Sequence, residues 1–125
     1  MEAVNETGES FRMDASTSLG GSQSAMRPMQ VLLASMGGCS AIDVIMILKK
    51  QRQKLHDIKI SIEGEREPNV EPSLYKKIHI HFKIFGKVEP EKAAIAVNLS
   101  MTKYCSVAKT LEASAEISHS FEVIS

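Results

Sequence analysis

Apolar residues recur with two different periods along the chain, and these periods predict its helices and strands. The stretch Val31–Leu48 is largely apolar without strand-like alternation, which predicts a long central helix that starts at Pro28 and runs to about Lys54. Two later segments alternate apolar and polar residues, which predicts half-buried strands that pair as a hairpin. Their apolar positions are Ile58, Ile60 and Ile62 in the first segment and Ile78, Ile80, Phe82 and Ile84 in the second.

The two ends of the chain complete the predicted order of elements. Residues 1–14 read as a hairpin, and residues 89–104 read as a helix that starts at a proline flanked by acidic residues. Residues 105–112 predict a short helix, and alternation over residues 115–123 predicts a last strand. The order ββ-α-ββ-α-α-β predicts an α+β fold with antiparallel pairing, in a single domain of residues 1–125.

The apolar helix Val31–Leu48 needs an environment that covers it. Its 18 residues approach the ~20 of a bilayer span, but it contains Asp43 and several small polar residues and continues into a basic run. These features favour a core helix that is buried all round over a membrane span. Because one thin sheet cannot easily cover such a helix, we expect a second copy of the chain to bury it in a homodimer with exchanged elements.

Composition narrows the classes of function. With 15 basic and 15 acidic residues the formal net charge is zero, so nothing in the charge predicts binding to nucleic acid or to an anionic membrane. The first residues contain neither a basic nor an apolar export segment, which predicts a cytoplasmic protein. Two cysteines in a reducing cytosol indicate free thiols or a redox pair rather than a disulfide framework.

Cys39, which follows Gly37 and Gly38 inside the apolar helix, is the first candidate for chemistry. Only a thiolate attacks, so Cys39 would need a nearby cation or a helix N-terminus. It gains little from the dipole of a continuous helix and more if the glycines break that helix. Arg27, just before the helix, is the obvious fixed positive charge, but at ~18 Å along a straight helix it would reach Cys39 only through chain folding or from another subunit. The alternative interpretation, that Cys39 is an inert core cysteine, remains open.

Cys105, 66 residues further on, is a natural partner for Cys39. It could attack a sulfenic acid on Cys39 and form a disulfide if the two Cα atoms come within ~7 Å. A small residue packed at a helix junction explains it equally well. Asp43 lies four residues after Cys39 on the same helix face, where it could orient a helper group, pair with a lysine, or raise a neighbouring thiol pKa.

His79 and His81 share one face of a predicted strand and could chelate a metal. No third ligand is evident in the sequence, and a solvated strand face accounts for both side chains. We therefore predict no metal site.

The contexts of the two cysteines together resemble a known family. Residues 28–33 leading to Gly37-Gly38-Cys39-Ser40-Ala41-Ile42-Asp43-Val44, with residues 101–107 downstream, are similar to the OsmC/Ohr family and within it to the OsmC-like YhfA-type branch. The resemblance extends from about Phe11 to the end of the chain. It implies an intertwined homodimer with two sites at the interface, and thiol-dependent reduction of organic hydroperoxides as in oxidative-stress defence. It also implies resetting by a lipoyl-type or other dithiol reductant, with no metal or organic cofactor.

The same resemblance implies roles for individual residues. Cys39 would be the peroxidatic thiol and Cys105 the resolving thiol. Ohr-type peroxidases pair a Glu early in this helix with an Arg of the N-terminal loop, whereas this chain has Met29-Gln30, so Gln30 and Arg27 are the substitutes. The chain also starts late, as though the family's first strand were missing.

These departures leave two hypotheses for function. The first is a peroxidase whose activity is weak because Gln30 replaces the helix carboxylate. The second is a non-catalytic or redox-sensing dimeric module that binds a small apolar ligand near Cys39. For the peroxidase we expect both sulfurs to converge at one pocket, lined by Met and Leu side chains near the dimer interface.

Overall fold

A computed structural model describes all 125 residues, which form two compact units, Met1–Ala34 and Ser35–Ser125. The elements follow the predicted order, and the α+β class is confirmed. They are β1 (Glu2–Val4), β2 (Ser10–Arg12), a 3₁₀ turn (Thr17–Leu19), α1 (Pro28–Lys50), β3 (Lys54–Arg66), β4 (Tyr75–Lys87), α2 (Pro90–Leu99), a π-helical turn (Ser100–Tyr104), α3 (Ser106–Leu111) and β5 (Glu116–Ile124).

The N-terminal unit contains the predicted hairpin. β1 pairs with β2 in antiparallel register, with Glu2 opposite Arg12. After the hairpin, the Asp14 carboxylate accepts hydrogen bonds from the backbone N–H groups of Ser22 and Ser24, at 2.9 and 3.2 Å. The N–H groups of Ser24 and then Ser22 hold the pKa of Asp14 well below its usual range. One side chain thus ties the serine-rich loop back to its start.

Local hydrogen bonds set both ends of α1. At its start, the side-chain oxygen of Gln30 accepts from the backbone N–H of Arg27 at 2.9 Å, which is one half of a capping box. At its end, Arg52 adopts a left-handed conformation (φ 58°) and the N–H of Gln53 donates to the carbonyl of Leu48, a Schellman motif. The helix therefore stops at Lys50, four residues before the predicted end.

α1 is continuous through its two glycines, and it buries one face only. The buried residues form a stripe at helical spacing: Met36, Gly37, Ser40, Val44 and Leu48. Gly37 faces β3, where an added Cβ would lie 2.9 Å from Cδ1 of Ile62. On the opposite side Ile42 is 64% exposed and Met46 is 54% exposed, so the expectation of burial all round is wrong for a single chain. By length and hydropathy α1 alone could cross a membrane, but its stripe packs as in a core helix.

The second unit contains a three-stranded sheet in the order β3-β4-β5. β3 and β4 form the predicted antiparallel hairpin, with Ile60 opposite Phe82. β5 lies parallel to β4, with Phe121 opposite Phe82, which contradicts the expectation of antiparallel pairing throughout. The reason is the connection: α2, the π-helical turn and α3 carry the chain back before β5 begins, and such long crossovers join parallel strands.

The two faces of the sheet differ in polarity. One face of β4 is fully buried, through Ile78, Ile80, Phe82 and Ile84. On the other face Nδ1 of His79 lies 2.7 Å from Oγ of Ser118, and Nδ1 of His81 lies 2.7 Å from Oγ of Ser120. Both imidazoles are thus held by serines of β5.

We predict that Phe82→Ala lowers the free energy of unfolding by about 3–5 kcal/mol, because it opens a cavity in the closed core. Phe85→Ala is the matched control, since Phe85 lies on the polar face of the same strand with Nζ of Lys59 5.7 Å from its ring centroid. That control should lose less than half as much. Equal losses in denaturant titrations would contradict this assignment of the core.

Candidate thiol site

α1 carries three polar or sulfur side chains toward the second unit's interior. Cys39 is half-buried in the middle of the continuous helix, about three turns from either end. Ser40 is fully buried, and Asp43 is half-buried one turn after Cys39. A single helix therefore places a thiol and a carboxylate on one face with a buried hydroxyl beside them.

The π-helical turn Ser100–Tyr104 positions Cys105. The N–H of Cys105 donates to the carbonyl of Ser100 at 2.8 Å, and the backbone then becomes extended before α3 begins. The Cys105 sulfur caps α3 by accepting from the N–H of Ala108 at 3.4 Å. Single π-helical turns occur often at functional sites because they redirect a side chain without ending the helical path.

The structure brings the two cysteines and Asp43 together. The sulfurs of Cys39 and Cys105 and a carboxylate oxygen of Asp43 all lie within 4.8 Å of one another. Both cysteines are free thiols. Since a disulfide needs an S–S distance of ~2.05 Å, the two sulfurs would have to approach each other by less than about 3 Å to bond.

Two buried serines, which the sequence reasoning missed, support this cluster. Oγ of Ser40 donates toward the sulfur of Cys105 at 3.2 Å and lies 3.5 Å from Sδ of Met101. Oγ of Ser100 donates to Oδ2 of Asp43 at 3.0 Å. For Ser40 a signal was available, because it is a hydroxyl inside the most apolar stretch of the chain and a buried serine needs a polar partner. Ser100 stands among polar residues and carried no such signal.

The two thiols occupy different environments. Cys105 is only 3% exposed, whereas Cys39 keeps more contact with solvent. Burial raises the pKa of the Cys105 thiol above its usual value, although hydrogen bonds from Ser40 and Ala108 lower it in part and the neighbouring Cys39 raises it. Cys105 therefore remains a protonated thiol at neutral pH.

The predicted activating pair, Arg27 and Gln30, belongs to the N-terminal unit. Gln30 accepts from the backbone N–H of Arg27, and not from its guanidinium as expected. Both residues line a pocket of about 280 Å³, together with Ala15, Ser16, Thr17, Gln23 and Ala25. Their part in thiol chemistry stays a prediction.

The surroundings of Cys105 are more polar than expected. Its sulfur lies 3.9 Å from the carbonyl of Met36, and Met101 shares the Ser40 hydroxyl with it. A pocket of about 310 Å³ adjoins Cys105 and is lined also by Lys103, Tyr104, Ser106, Lys109 and Thr110. This pocket is lined by basic and hydroxyl-bearing residues, and neither methionine nor leucine lines it.

Comparison with known proteins identifies the family. The sequence model of the OsmC-like protein family matches residues 20–120. The chain belongs to the OsmC-like family. Protein YhfA of Escherichia coli K12 is 44% identical over 101 residues, which are 80% of this chain and 75% of that protein.

Solved structures of other proteins share the fold. A hypothetical protein from Aquifex aeolicus is 36% identical and superposes with a TM-score of 0.77, over 98% of this chain and 92% of that one. An organic hydroperoxide resistance protein OsmC from Legionella pneumophila superposes with a TM-score of 0.72 at 18% identity, over 94% of this chain and 85% of that one. The predicted family and the predicted α+β class of an OsmC-like fold are thus confirmed.

We predict that Ser40→Ala raises the pKa of Cys105 in this OsmC-like protein further, because the hydroxyl that stabilises its thiolate is lost. The rate of alkylation of Cys105 against pH, followed by mass spectrometry, measures this. Ser106→Ala is the control, since Ser106 is exposed and the hydrogen bonds to the sulfur come from Ser40 and Ala108. A Cys105 titration that Ser40→Ala leaves unmoved would contradict the hydrogen bond.

Proposed function

We propose that this OsmC-like protein is a thiol-dependent peroxidase that reduces organic hydroperoxides, with Cys39 as the peroxidatic thiol and Cys105 as the resolving thiol. The observation that carries the proposal is the approach of the two free sulfurs to within 4.8 Å. Residues 66 positions apart in sequence meet only because α1 and the π-helical turn pack together.

The proposed reaction has three steps. The Cys39 sulfur attacks the terminal oxygen of the hydroperoxide, the O–O bond breaks, the alcohol leaves with the thiol proton, and a sulfenic acid forms. The Cys105 sulfur then attacks the Cys39 sulfur, water leaves, and a disulfide forms. A dithiol of the lipoyl type reduces that disulfide and is itself oxidised to a disulfide, which restores both thiols.

The order of the two thiols follows from their environments. A peroxide with a bulky organic group can approach Cys39, which is part-exposed, more readily than Cys105, which is buried. The raised pKa of Cys105 keeps this thiol protonated and unreactive toward peroxide until a sulfenic acid stands beside it.

Asp43 supplies a carboxylate beside the thiols. The carboxylate that the family resemblance leads one to expect early in the helix is replaced by the amide of Gln30. The Asp43 oxygen lies within 4.8 Å of both sulfurs, and Ser100 holds it in place. We assign it the transfer of the Cys39 proton to the departing alcohol. The roles of Arg27 and Gln30 rest on the resemblance alone.

The known relatives support the same theme. The Legionella protein is described as an organic hydroperoxide resistance protein, and its likeness to this chain at 18% identity is a likeness of fold. Within the proposal the protein works in the cytoplasm with a dithiol reductant and without a metal or organic cofactor.

A second copy of the chain completes the proposed enzyme by covering the exposed face of α1. Gly38, Ile42, Ile45 and Met46 recur at helical spacing on this face. An added Cβ on Gly38 would contact nothing within the chain, so a second helix has room to approach there. An obligate interface of this kind buries more than ~2,000 Å².

We predict that Cys39→Ser abolishes the consumption of cumene hydroperoxide in the presence of a dithiol reductant. Cys105→Ser should still consume one equivalent of peroxide per chain, because the attacking thiol is intact, but it should accumulate sulfenic acid and not turn over. A dimedone-type probe and a peroxide assay distinguish the two variants.

Ser106→Ala is the control for both variants, since it changes the residue next to Cys105 and leaves both cysteines in place. Wild-type protein that fails to consume the peroxide would overturn the proposal and favour the ligand-binding or redox-sensing module. Full turnover in Cys39→Ser would reverse the roles assigned to the two thiols.

For the assembly we predict that the double variant Ile42→Glu, Met46→Glu shifts the protein from dimer to monomer, because it buries two charges at the shared face. Sedimentation velocity at micromolar concentration measures the change. Val70→Glu is the control, since Val70 is an exposed apolar residue outside α1. A wild-type monomer at this concentration would contradict the proposed dimer.

A further inference from the structure

We propose that the reduced thiol site also binds one Zn²⁺ ion, with Cys39, Cys105 and Asp43 as its three protein ligands. This inference goes beyond the peroxidase and does not require it. It starts from the donor atoms: two sulfurs and one carboxylate oxygen, each on a different side chain, all within 4.8 Å of one another.

The spacing suits a tetrahedral ion. Ligands bound to one Zn²⁺ at ~2.3 Å stand ~3.8 Å apart, so the three donors need to move together by less than about an ångström. The fourth position stays open to water, as in zinc sites with three protein ligands. Thiolate ligands select Zn²⁺ over Mg²⁺ and Ca²⁺, which prefer oxygen ligands alone.

The ligands already have the supporting contacts that metal sites use. Ser100 donates to Oδ2 of Asp43 at 3.0 Å, which fixes the orientation of that carboxylate. Ser40 donates toward the sulfur of Cys105 at 3.2 Å, and the N–H of Ala108 donates to the same sulfur. Such outer contacts orient ligands and raise the affinity of a site for metal.

The carboxylate of Asp43 also favours the binding of a cation. None of the chain's ion pairs involves Asp43, although this carboxylate is half-buried beside two thiols. Binding would follow the balance Zn²⁺ + Cys39-SH + Cys105-SH + Asp43-COO⁻ → bound Zn²⁺ + 2 H⁺. The ion would bind Cys39 and Cys105 as thiolates. Because it would occupy the sulfur lone pairs that attack peroxide, it would inhibit the proposed peroxidase reversibly.

The test uses full-length, reduced, metal-free protein without oxygen. Titration with Co²⁺ should produce thiolate-to-cobalt charge-transfer absorption that saturates at one ion per chain, and Zn²⁺ should abolish it. In a weak buffer with a pH indicator, Zn²⁺ should release two protons per ion. Absence of charge-transfer absorption, together with no Zn²⁺ bound in competition with a chromophoric chelator, would overturn the inference.

Variants assign the ligands. Changing an outer contact of a metal ligand costs ~10- to 100-fold in affinity, and changing the ligand itself should cost no less. Cys39→Ser or Cys105→Ser should therefore lower the Zn²⁺ affinity at least ~100-fold, and Asp43→Asn at least ~10-fold. Asp57→Asn is the matched control, since Asp57 is an exposed aspartate of β3, and its affinity should equal that of the wild type. Unchanged affinity in Asp43→Asn would refute the three-ligand site.

The competing site on the polar face of the sheet is tested in the same way. The double variant His79→Ala, His81→Ala should leave Zn²⁺ binding unchanged, whereas loss of binding there would overturn the assignment. Peroxide consumption is measured separately on the same samples. Zn²⁺ bound by a protein that consumes no peroxide leaves this inference standing, and peroxide turnover without Zn²⁺ binding refutes this inference alone.

Discussion

The contact between α1 and the π-helical turn, made by two buried serines, is the interaction on which the site depends. Ser40 and Ser100 are both fully buried, so their hydroxyls must be hydrogen-bonded within the protein. Ser40 points to the sulfur of Cys105, and Ser100 points to Asp43, so each serine binds a group on the facing element. Small side chains allow the two helical segments to approach, and their hydroxyls fix the register at which the sulfurs meet.

The two faces of α1 are apolar for different reasons. The inner stripe, which includes Met36 and Leu48, closes the core of the second unit. The outer face carries Ile42 and Met46, which remain exposed in the single chain. The apolar composition of α1 resembles that of a membrane span because the helix has two apolar faces. The inner face packs within the fold, and the outer face would pack against the proposed second copy. Cys39 and Asp43 lie between these faces, which leaves Cys39 accessible beside the core.

Much of the fold could be predicted from periodicity, because strand alternation and an apolar helix are local properties of the sequence. The end of α1 could not, since it depends on Arg52 adopting a left-handed conformation that a non-glycine residue seldom takes. The parallel pairing of β5 with β4 could not be predicted either, because strand direction follows from the crossover and not from the strand itself. For the site, the cysteines were evident by residue type, but Ser40 and Ser100 acquire meaning only when two distant segments pack.

The asymmetry between the thiols links the two chemistries proposed for this site. A buried Cys105 with a raised pKa is a poor nucleophile toward peroxide, and it also holds more firmly the proton that a metal must displace. Cys39 is accessible and Asp43 is a carboxylate already oriented by Ser100, so a peroxide or a cation would meet these two groups first. In both proposals Cys105 would act second, once a sulfenic acid or a bound ion stands within reach of its sulfur. The same burial that delays Cys105 therefore gives the site its order of events, whichever partner arrives.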